Sequence, residues 1–279
     1  MNTEQFFLDP LLPFVECRRS TNSGRHYRPH IHQAFCIGAI DEGEVEYAVG
    51  TETGMLRNGQ LVLINPEVLH SCNPTRDSAR NYYVLYLDKE WCRQLQQSLW
   101  EVIEFRPAAV SMLTDQALFD EFVDMMETLL INECLLEKEQ RLIEFAEKVF
   151  ARVCLGGARP AASGKTDVAA IKQLLGAALD RELVLETLAR QCGANPFVLI
   201  RQFKAATGIT PHAYRLNCRI EYAKELLRRQ PAEANLAEIA LETGFYDQSH
   251  FNRTFKSLTA VTPREYLVNF LQSAHSSSS

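Results

Sequence analysis

No apolar run in this chain approaches the roughly 20 residues needed to cross a bilayer. Its opening stretch, MNTEQFFLDP, lacks the basic, then apolar, then small-residue order of an export signal. The chain is therefore expected to stay in the cytoplasm, off the membrane. Its eight cysteines (17, 36, 72, 92, 134, 154, 192, 218) include no C-x-x-C pair, and several sit at apolar helical positions, as buried free thiols do in a reducing compartment. No phosphate-cradling glycine loop and no nucleophile–base constellation occurs, which argues against an enzyme. Positive charge is scarce too: the balance is −6, which taken whole argues against nucleic acid.

The scarcity is uneven. Residues 1–157 hold 14 Lys+Arg against 24 Asp+Glu, leaving 15 and 11 of the chain's 29 and 35 to residues 158–279. An acidic front and a mildly basic back are expected when only one of two domains meets phosphate. Length agrees, since 279 residues are many for one domain and comfortable for two.

Residues 236–266, LAEIALETGFYDQSHFNRTFKSLTAVTPREY, read as two helices joined by a tight turn, with a third following. Leu236, Ile239 and Ala240 fall at i, i+3, i+4 and make one apolar face. Gly244 stands where that helix must stop, and Asp247 is placed to cap the next. Phe251, Phe255 and Leu258 recur at i, i+4, i+7 as a buried stripe. Ser249, Asn252, Arg253 and Lys256 then lie opposite, with Gln248 at the edge. A donor-rich outer face on the second helix suits reading of DNA, although an ordinary helical hairpin with a solvated face shows the same pattern.

A second copy favours the first reading. In residues 183–214, Leu185, Leu188 and Ala189 form the stripe, Gly193 the turn, Asn195 the cap and Pro196 the first helical position. Leu199 and Phe203 are expected inward; Phe197, Arg201 and Lys204 outward, with Ile200 beside them. Aligning Phe203-Lys204 with Phe255-Lys256 offsets the copies by 52 residues (255 − 203) and lays Arg201 over Arg253. Both copies end in Thr-Pro before a tyrosine: Thr210-Pro211…Tyr214 and Thr262-Pro263…Tyr266. A repeat in this detail marks a duplicated unit. Between the copies, one pattern from His212 to Arg229 puts Tyr214, Ile220, Ala223, Leu226 and Leu227 inward, a rigid spacer of roughly 27 Å. Such a spacer can hold two reading heads about one DNA turn (~34 Å) apart once their own width is added.

Residues 166–270 resemble the DNA-binding domain of AraC/XylS-type transcription regulators, through LARQCGANPFVLIRQFKAATGITPHAY in the first copy and GF-x-DQSHF-x-R-x-FK…TP-x-x-Y in the second. That family usually has Gly where this chain has Ala260, and often Arg where it has Leu267; both lie behind the recognition helix. The resemblance implies a ligand-responsive regulator of double-stranded DNA, more often an activator, working with RNA polymerase. Carried over at matching positions, Arg201 is assigned to a base edge and Lys204 to phosphate, while Phe197 and Ile200 either touch thymine methyls or pack. On the second head Gln248, Ser249, Asn252 and Arg253 are assigned to bases, with Lys256 on the same face; His250 matches the motif and is expected against the DNA backbone. A homodimer is expected, because paired half-sites raise affinity without new contacts per subunit.

From about residue 10 to 110 short apolar runs alternate with Gly, Pro, Asn and Asp breaks. Candidate strands are 34–40, 44–49, 59–65 and 81–87, a spacing that points to an antiparallel barrel or sandwich. The pattern P-H-x-H…G…G-x-L-V-L-I-N-P-x-x-x-H, on Pro29, His30, His32, Gly43, Gly59, Pro66 and His70, resembles the cupin-like sensor domain of AraC-type regulators. His30, His32 and His70 match three ligand positions of metal-binding cupins, yet no acidic ligand follows His32. The reading adopted is a small organic effector held by His30, His32, Tyr47, Asn65 and His70, with no metal and no other cofactor; that the histidines only cap strands stays open.

A short helix is expected over 89–100, then helices over 115–155 with a break near 132–136. Their stripes (Leu118, Phe122, Met125, Leu129; Ile143, Ala146, Val149, Phe150) serve either dimerisation or cover of the barrel. A further helix starting at Thr166 or Asp167 is expected to pack on the first motif. The fold class expected is α+β in two domains: a cupin-like antiparallel β-barrel with flanking helices over 1–157, and an all-α domain of two helix-turn-helix motifs joined by a long helix over 166–271. A linker (158–165) and a disordered tail (272–279) complete it. A metal-dependent cupin enzyme tethered to a DNA module, and a helical protein-interaction adaptor, are the competing classes.

Overall fold

In the computed structural model, residues 3–75, 78–131, 134–154, 167–229 and 235–268 are described. The expected linker and tail lie outside the described residues, as do two residues of the break expected near 132–136. The chain separates into two units: Met1–Glu133 with Lys138–Ser163, and Cys134–Glu137 with Gly164–Ser279.

Among its described residues the first unit carries nine strands: β1 (Thr3–Phe7), β2 (Val15–Ser23), β3 (Phe35–Glu42), β4 (Val45–Val49), β5 (Glu52–Leu56), β6 (Gln60–Ile64), β7 (His70–Pro74), β8 (Arg80–Leu87) and β9 (Met112–Thr114). Six form one antiparallel sheet in the order β1-β2-β8-β3-β6-β9; three form another, β5-β4-β7. The expected barrel is thus two sheets that do not close. The outer edge of β6 is already taken by β9 (Leu61 opposite Leu113), while among the described residues β5 pairs only with β4.

β3 shows why periodicity alone left barrel and sandwich unresolved. Six consecutive residues from Phe35 are buried, because both faces of the strand are covered. Cys36 and Ile40 point into a layer shared with Val45, Tyr47 and Val49 of β4, Leu56 of β5, and Val62 and Ile64 of β6. On the opposite face Phe35 meets Phe150, ring centroids 5.4 Å apart. That ring belongs to α3 (Leu135–Val153), which with α1 (Lys89–Leu99) and α2 (Gln116–Leu130) supplies the helices of this unit. The predicted stripes are buried: Leu118, Phe122, Met125 and Leu129 of α2, and Ile143, Ala146, Val149 and Phe150 of α3, each at most 6% exposed. Both are spent on covering the unit's own core. Buried Lys138 of α3 donates to the Leu129 and Ile131 carbonyls, which closes the end of α2.

The second unit is all helix: α4 (Val168–Gly176), α5 (Leu185–Gln191), α6 (Pro196–Thr207), α7 (Pro211–Arg229), α8 (Leu236–Glu242) and α9 (Gln248–Thr259), with residues 263–268 again helical. Asp167 caps α4 through the Ala169 and Ala170 amides. As expected, α4 packs on α6 and α7. At 19 residues α7 is a rod of roughly 28 Å. No helix among the described residues is long and apolar enough to cross a membrane.

Candidate functional site

The two helical pairs are built alike, atom for atom at several points. Asn195 caps α6 by accepting from the Phe197 and Val198 amides at 3.0 and 3.2 Å; Asp247 caps α9 by accepting from the His250 amide at 2.6 Å. Thr207 and Thr259 each donate to the carbonyl four residues back at 2.7 Å. Each helix ends in a left-handed residue, Gly208 at φ 78° and Ala260 at φ 66°. Phe203 meets Tyr214 and Phe255 meets Tyr266, both at 5.6 Å. The Thr-Pro…Tyr ending therefore locks each recognition helix to the helix that follows it. At Ala260 the geometry is that of the glycine it replaces, at a strain of about 1 kcal/mol.

Two arginines on α7 escaped the sequence reading. Arg215 and Arg219 are 2% and 3% exposed. Arg215 donates to the carbonyls of Leu175, Ala177, Ala178 and Arg181 at 2.8–3.3 Å, and Arg219 Nε donates to Leu179 O at 3.1 Å. They satisfy the end of α4 and the turn after it. Burial lowers both guanidinium pKa values. In the second copy the position matching Arg215 is Leu267 (215 + 52).

The outer faces differ. Gln248, Ser249, Arg253 and Lys256 of α9 are exposed, while His250 and Asn252 are half-buried. The Asn252 Oδ1 is out of solvent with no partner, and the His250 ring stands edge-on to Phe245 at 5.2 Å. Leu258, assigned to the buried stripe, is 44% exposed beyond the reach of that core. On α6, Lys204 is exposed and Arg201 half-buried. Of the two alternatives for Phe197 and Ile200, burial favours packing: at 3% and 2% exposed they face inward, against the outward placement expected of Phe197. α4 packs on α6 as the C-terminal half of α7 packs on α9, so the two copies share this cover and differ in the side chains presented, Phe197 and Ile200 in the first against Ser249 and Asn252 in the second.

In the first unit a cavity of about 630 Å³, mouth included, opens between the sheets; Arg18, Tyr27, Cys36, Arg80, Tyr82 and Tyr86 line it, together with His30, His32 and His70. The walls are apolar and aromatic, and the buried cation Arg80 stands among them. It donates to the Cys72 and Arg25 carbonyls at 3.1 and 3.3 Å and lies 4.8 Å over the Tyr82 ring. Among the described residues no carboxylate pairs with it, and burial lowers its pKa. By contrast, Arg18 is held by Glu4 at 2.7 Å. Burial and the Tyr27 hydroxyl push Tyr82 up to about 12, so it stays a neutral donor.

The structure brings the three histidines together across a 38-residue gap (70 − 32). His30 and His70 exchange backbone hydrogen bonds of 3.0 Å each way, and the Glu67 amide donates to His32 O at 2.8 Å. Tyr47 and Asn65, expected with them, are not among the residues that line the cavity. The Tyr47 ring lies over Gly54, where a Cβ would come within 2.8 Å of it. Asn65 is spent on the backbone of residue 108, accepting at 2.8 Å and donating at 3.0 Å. Alternation placed both on strand-like runs but could not say which neighbours would occupy them.

Comparison with known proteins follows the same division. Residues 12–146 match the family described as AraC-like ligand binding domain, and residues 188–269 match a helix-turn-helix domain. The chain is 24% identical over 253 residues to YbfI, a helix-turn-helix transcriptional regulator of Bacillus subtilis, covering 89% of each. It is 31% identical over 108 residues to the MmsAB operon regulatory protein of Pseudomonas aeruginosa, and 32% over 107 residues to the transcriptional activator RhaR of Salmonella schwarzengrund. Those two alignments span 34% and 37% of the relatives' own lengths.

Proposed function

The chain belongs to the AraC-type transcription regulators, and from that premise we propose how its two units divide the work. The regulator binds DNA through one unit and a small ligand through the other. The reading rests on one observation above all: two helical heads with the same caps and the same Phe–Tyr lock, carried on one rigid rod. Each head enters the major groove with its recognition helix, α6 or α9, and the two meet successive groove segments of one duplex. Arg253, Gln248 and Ser249 read bases, Lys256 and Lys204 hold phosphate, and Arg201 is the base-reading group of the first head. Asn252 joins them after rotating its amide outward, and His250 lies along the backbone. Because Phe197 and Ile200 are buried, the second head carries more of the sequence preference.

In the sensor unit an anionic organic effector fits best, its acidic group meeting Arg80 and its apolar body the tyrosine-lined walls. The sensor unit is taken as residues 1–157 and the DNA-binding unit as residues 166–271. The protein acts in the cytoplasm as a homodimer without catalysing a reaction, and it works as an activator, as does the relative named a transcriptional activator, through contact with RNA polymerase.

Full-length protein is to be titrated with duplexes carrying two half-sites one turn apart, and with duplexes in which ~5 base pairs rotate one half-site to the far side. Tight binding only to the first, weakening steeply with salt, is the expected result. Equal affinity for both duplexes would remove the two-headed reading.

A further inference from the structure

We propose that His30, His32 and His70 hold one divalent transition-metal ion through their Nε2 atoms, at the rim of the sensor cavity. The donor atoms of the three lie within 4.8 Å of one another. Each ring is oriented in the same way by its own backbone. Nδ1 lies 2.9 Å from Arg28 O in His30, 3.1 Å from Ala34 O in His32, and 2.9 Å from Val68 O in His70. A carbonyl can only accept, so each Nδ1 carries the proton and each Nε2 keeps its lone pair. This second contact is what orients and strengthens an imidazole ligand at a metal.

The rings fan around a common point. Their planes cross at 55° to 63°, with His70 at 4.3 Å from His30 and 4.5 Å from His32. Cys36 does not compete for the lone pair of His32. Its sulfur is 3.2 Å from Nε2 and 3.4 Å from Nδ1, so it sits over the ring face and not in the ring plane. The frame is tied before any ion arrives, by the reciprocal bridge between His30 and His70 and by the bond from the Glu67 amide to His32 O. A tetrahedral ion with bonds of ~2.0–2.1 Å needs donors about 3.4 Å apart, a closure within reach of small ring rotations.

The donor set selects the ion class. Three neutral imidazoles suit zinc, cobalt, nickel, copper or ferrous iron, and not magnesium or calcium, which require oxygen. Three protein ligands leave a coordination position open, and all three line the cavity. Tyr27 stands between this rim and the buried cation, its ring 6.2 Å from that of His30 and 5.9 Å from Arg80 Cζ. A ligand with two acidic or oxygen-bearing ends could thus meet the ion with one and Arg80 with the other.

The test uses the full chain stripped with a chelator and then titrated with cobalt(II) alone, without DNA or effector. One equivalent retained per chain, with visible d–d bands, is the expected result. His30 is exposed, so His30→Ala should keep the fold, checked by circular dichroism, and weaken binding more than about tenfold. His26 is exposed and has the same kind of backbone contact, Nδ1 to Gly24 O at 3.1 Å, but lies outside the cluster. His26→Ala should bind as the parent does. No retained cobalt, undiminished binding in His30→Ala, or equal loss in His26→Ala would each overturn the site. None of these outcomes bears on the two-headed DNA reading, which is tested separately.

Discussion

In the first helical head the turn glycine, Gly193, has φ 59° and nothing within 4 Å of where a Cβ would stand. In the second, Gly244 has φ 82°, and a Cβ there would lie 2.0 Å from Leu179 O and 2.8 Å from the Arg219 guanidinium. Two copies of one motif thus use glycine for different reasons, backbone conformation alone in the first and close approach as well in the second. The anchoring differs in the opposite sense. The first copy has Arg215, donating to four carbonyls, where the second has Leu267. Duplication preserved the frame and let the fastening diverge, so a change at matched positions should not have matched effects.

The largest contrast is expected at the turns. Gly244→Ala must displace backbone and should cost about 3–5 kcal/mol, against about 1 kcal/mol for Gly193→Ala. Denaturant unfolding followed by circular dichroism measures both, and equal losses would show that the close packing around Gly244 carries no weight. Next is the anchor. Arg215→Met strands several buried carbonyls and should cost about 3 kcal/mol, whereas Leu267→Met should change stability by less than about 1 kcal/mol. On the outer faces, Arg253→Ala should weaken specific operator binding by ~1–3 kcal/mol. Arg201→Ala should weaken it by no more than about 1 kcal/mol, because Arg201 is half-buried while Arg253 stands exposed among Gln248, Ser249 and Lys256. Competition binding against nonspecific duplex reads the difference; a larger loss at Arg201 would invert the assignment of the dominant head. The smallest effect lies at the helix ends. Ala260→Gly should stabilise by about 0.5–1 kcal/mol and Gly208→Ala destabilise by a like amount, visible as opposite shifts in melting temperature.

Acid should act on the other unit. Burial lowers the pKa of His32 and His70 below the ordinary 6.5. Between that value and the depressed folded values, the unfolded chain binds more protons than the folded one. Stability contributed by the neutral rings is therefore fully present above pH 6.5 and is lost as pH falls through that window. His70→Asn should flatten the pH dependence of the sensor unit's melting and leave the helical unit unchanged.

Much of the helical unit was legible because its signals are local. The caps Asn195 and Asp247, Pro196 at the first turn, and the stripes of α6 and α9 follow from spacing within a few residues. For Phe197 and Ile200 contact with DNA and packing both stayed open, because helical periodicity finds one buried face and does not say whether a second will be covered. Arg215 and Arg219 carry no sequence signal of burial; the carbonyls left over at the end of α4 and in the turn after it explain it. In the sensor unit the strands were visible and the histidine trio was suspected. Open sheets and a barrel, however, differ in which strand edges pair, and alternation carries no information about pairing. Arg80 had no sequence signal beyond standing at the start of a strand.

The stretch around Leu179 has a consequence for anyone dissecting this molecule. Its carbonyls are gripped by arginines of the rod, and one of them lies under the turn of the second head. Phe245 of that head in turn meets the Arg219 guanidinium at 5.8 Å. Neither copy is consequently a cassette that can be excised: a gene fragment ending within α7 would leave stranded charge in the surviving piece. Shortened versions should therefore be cut ahead of α4 and retain everything downstream of it.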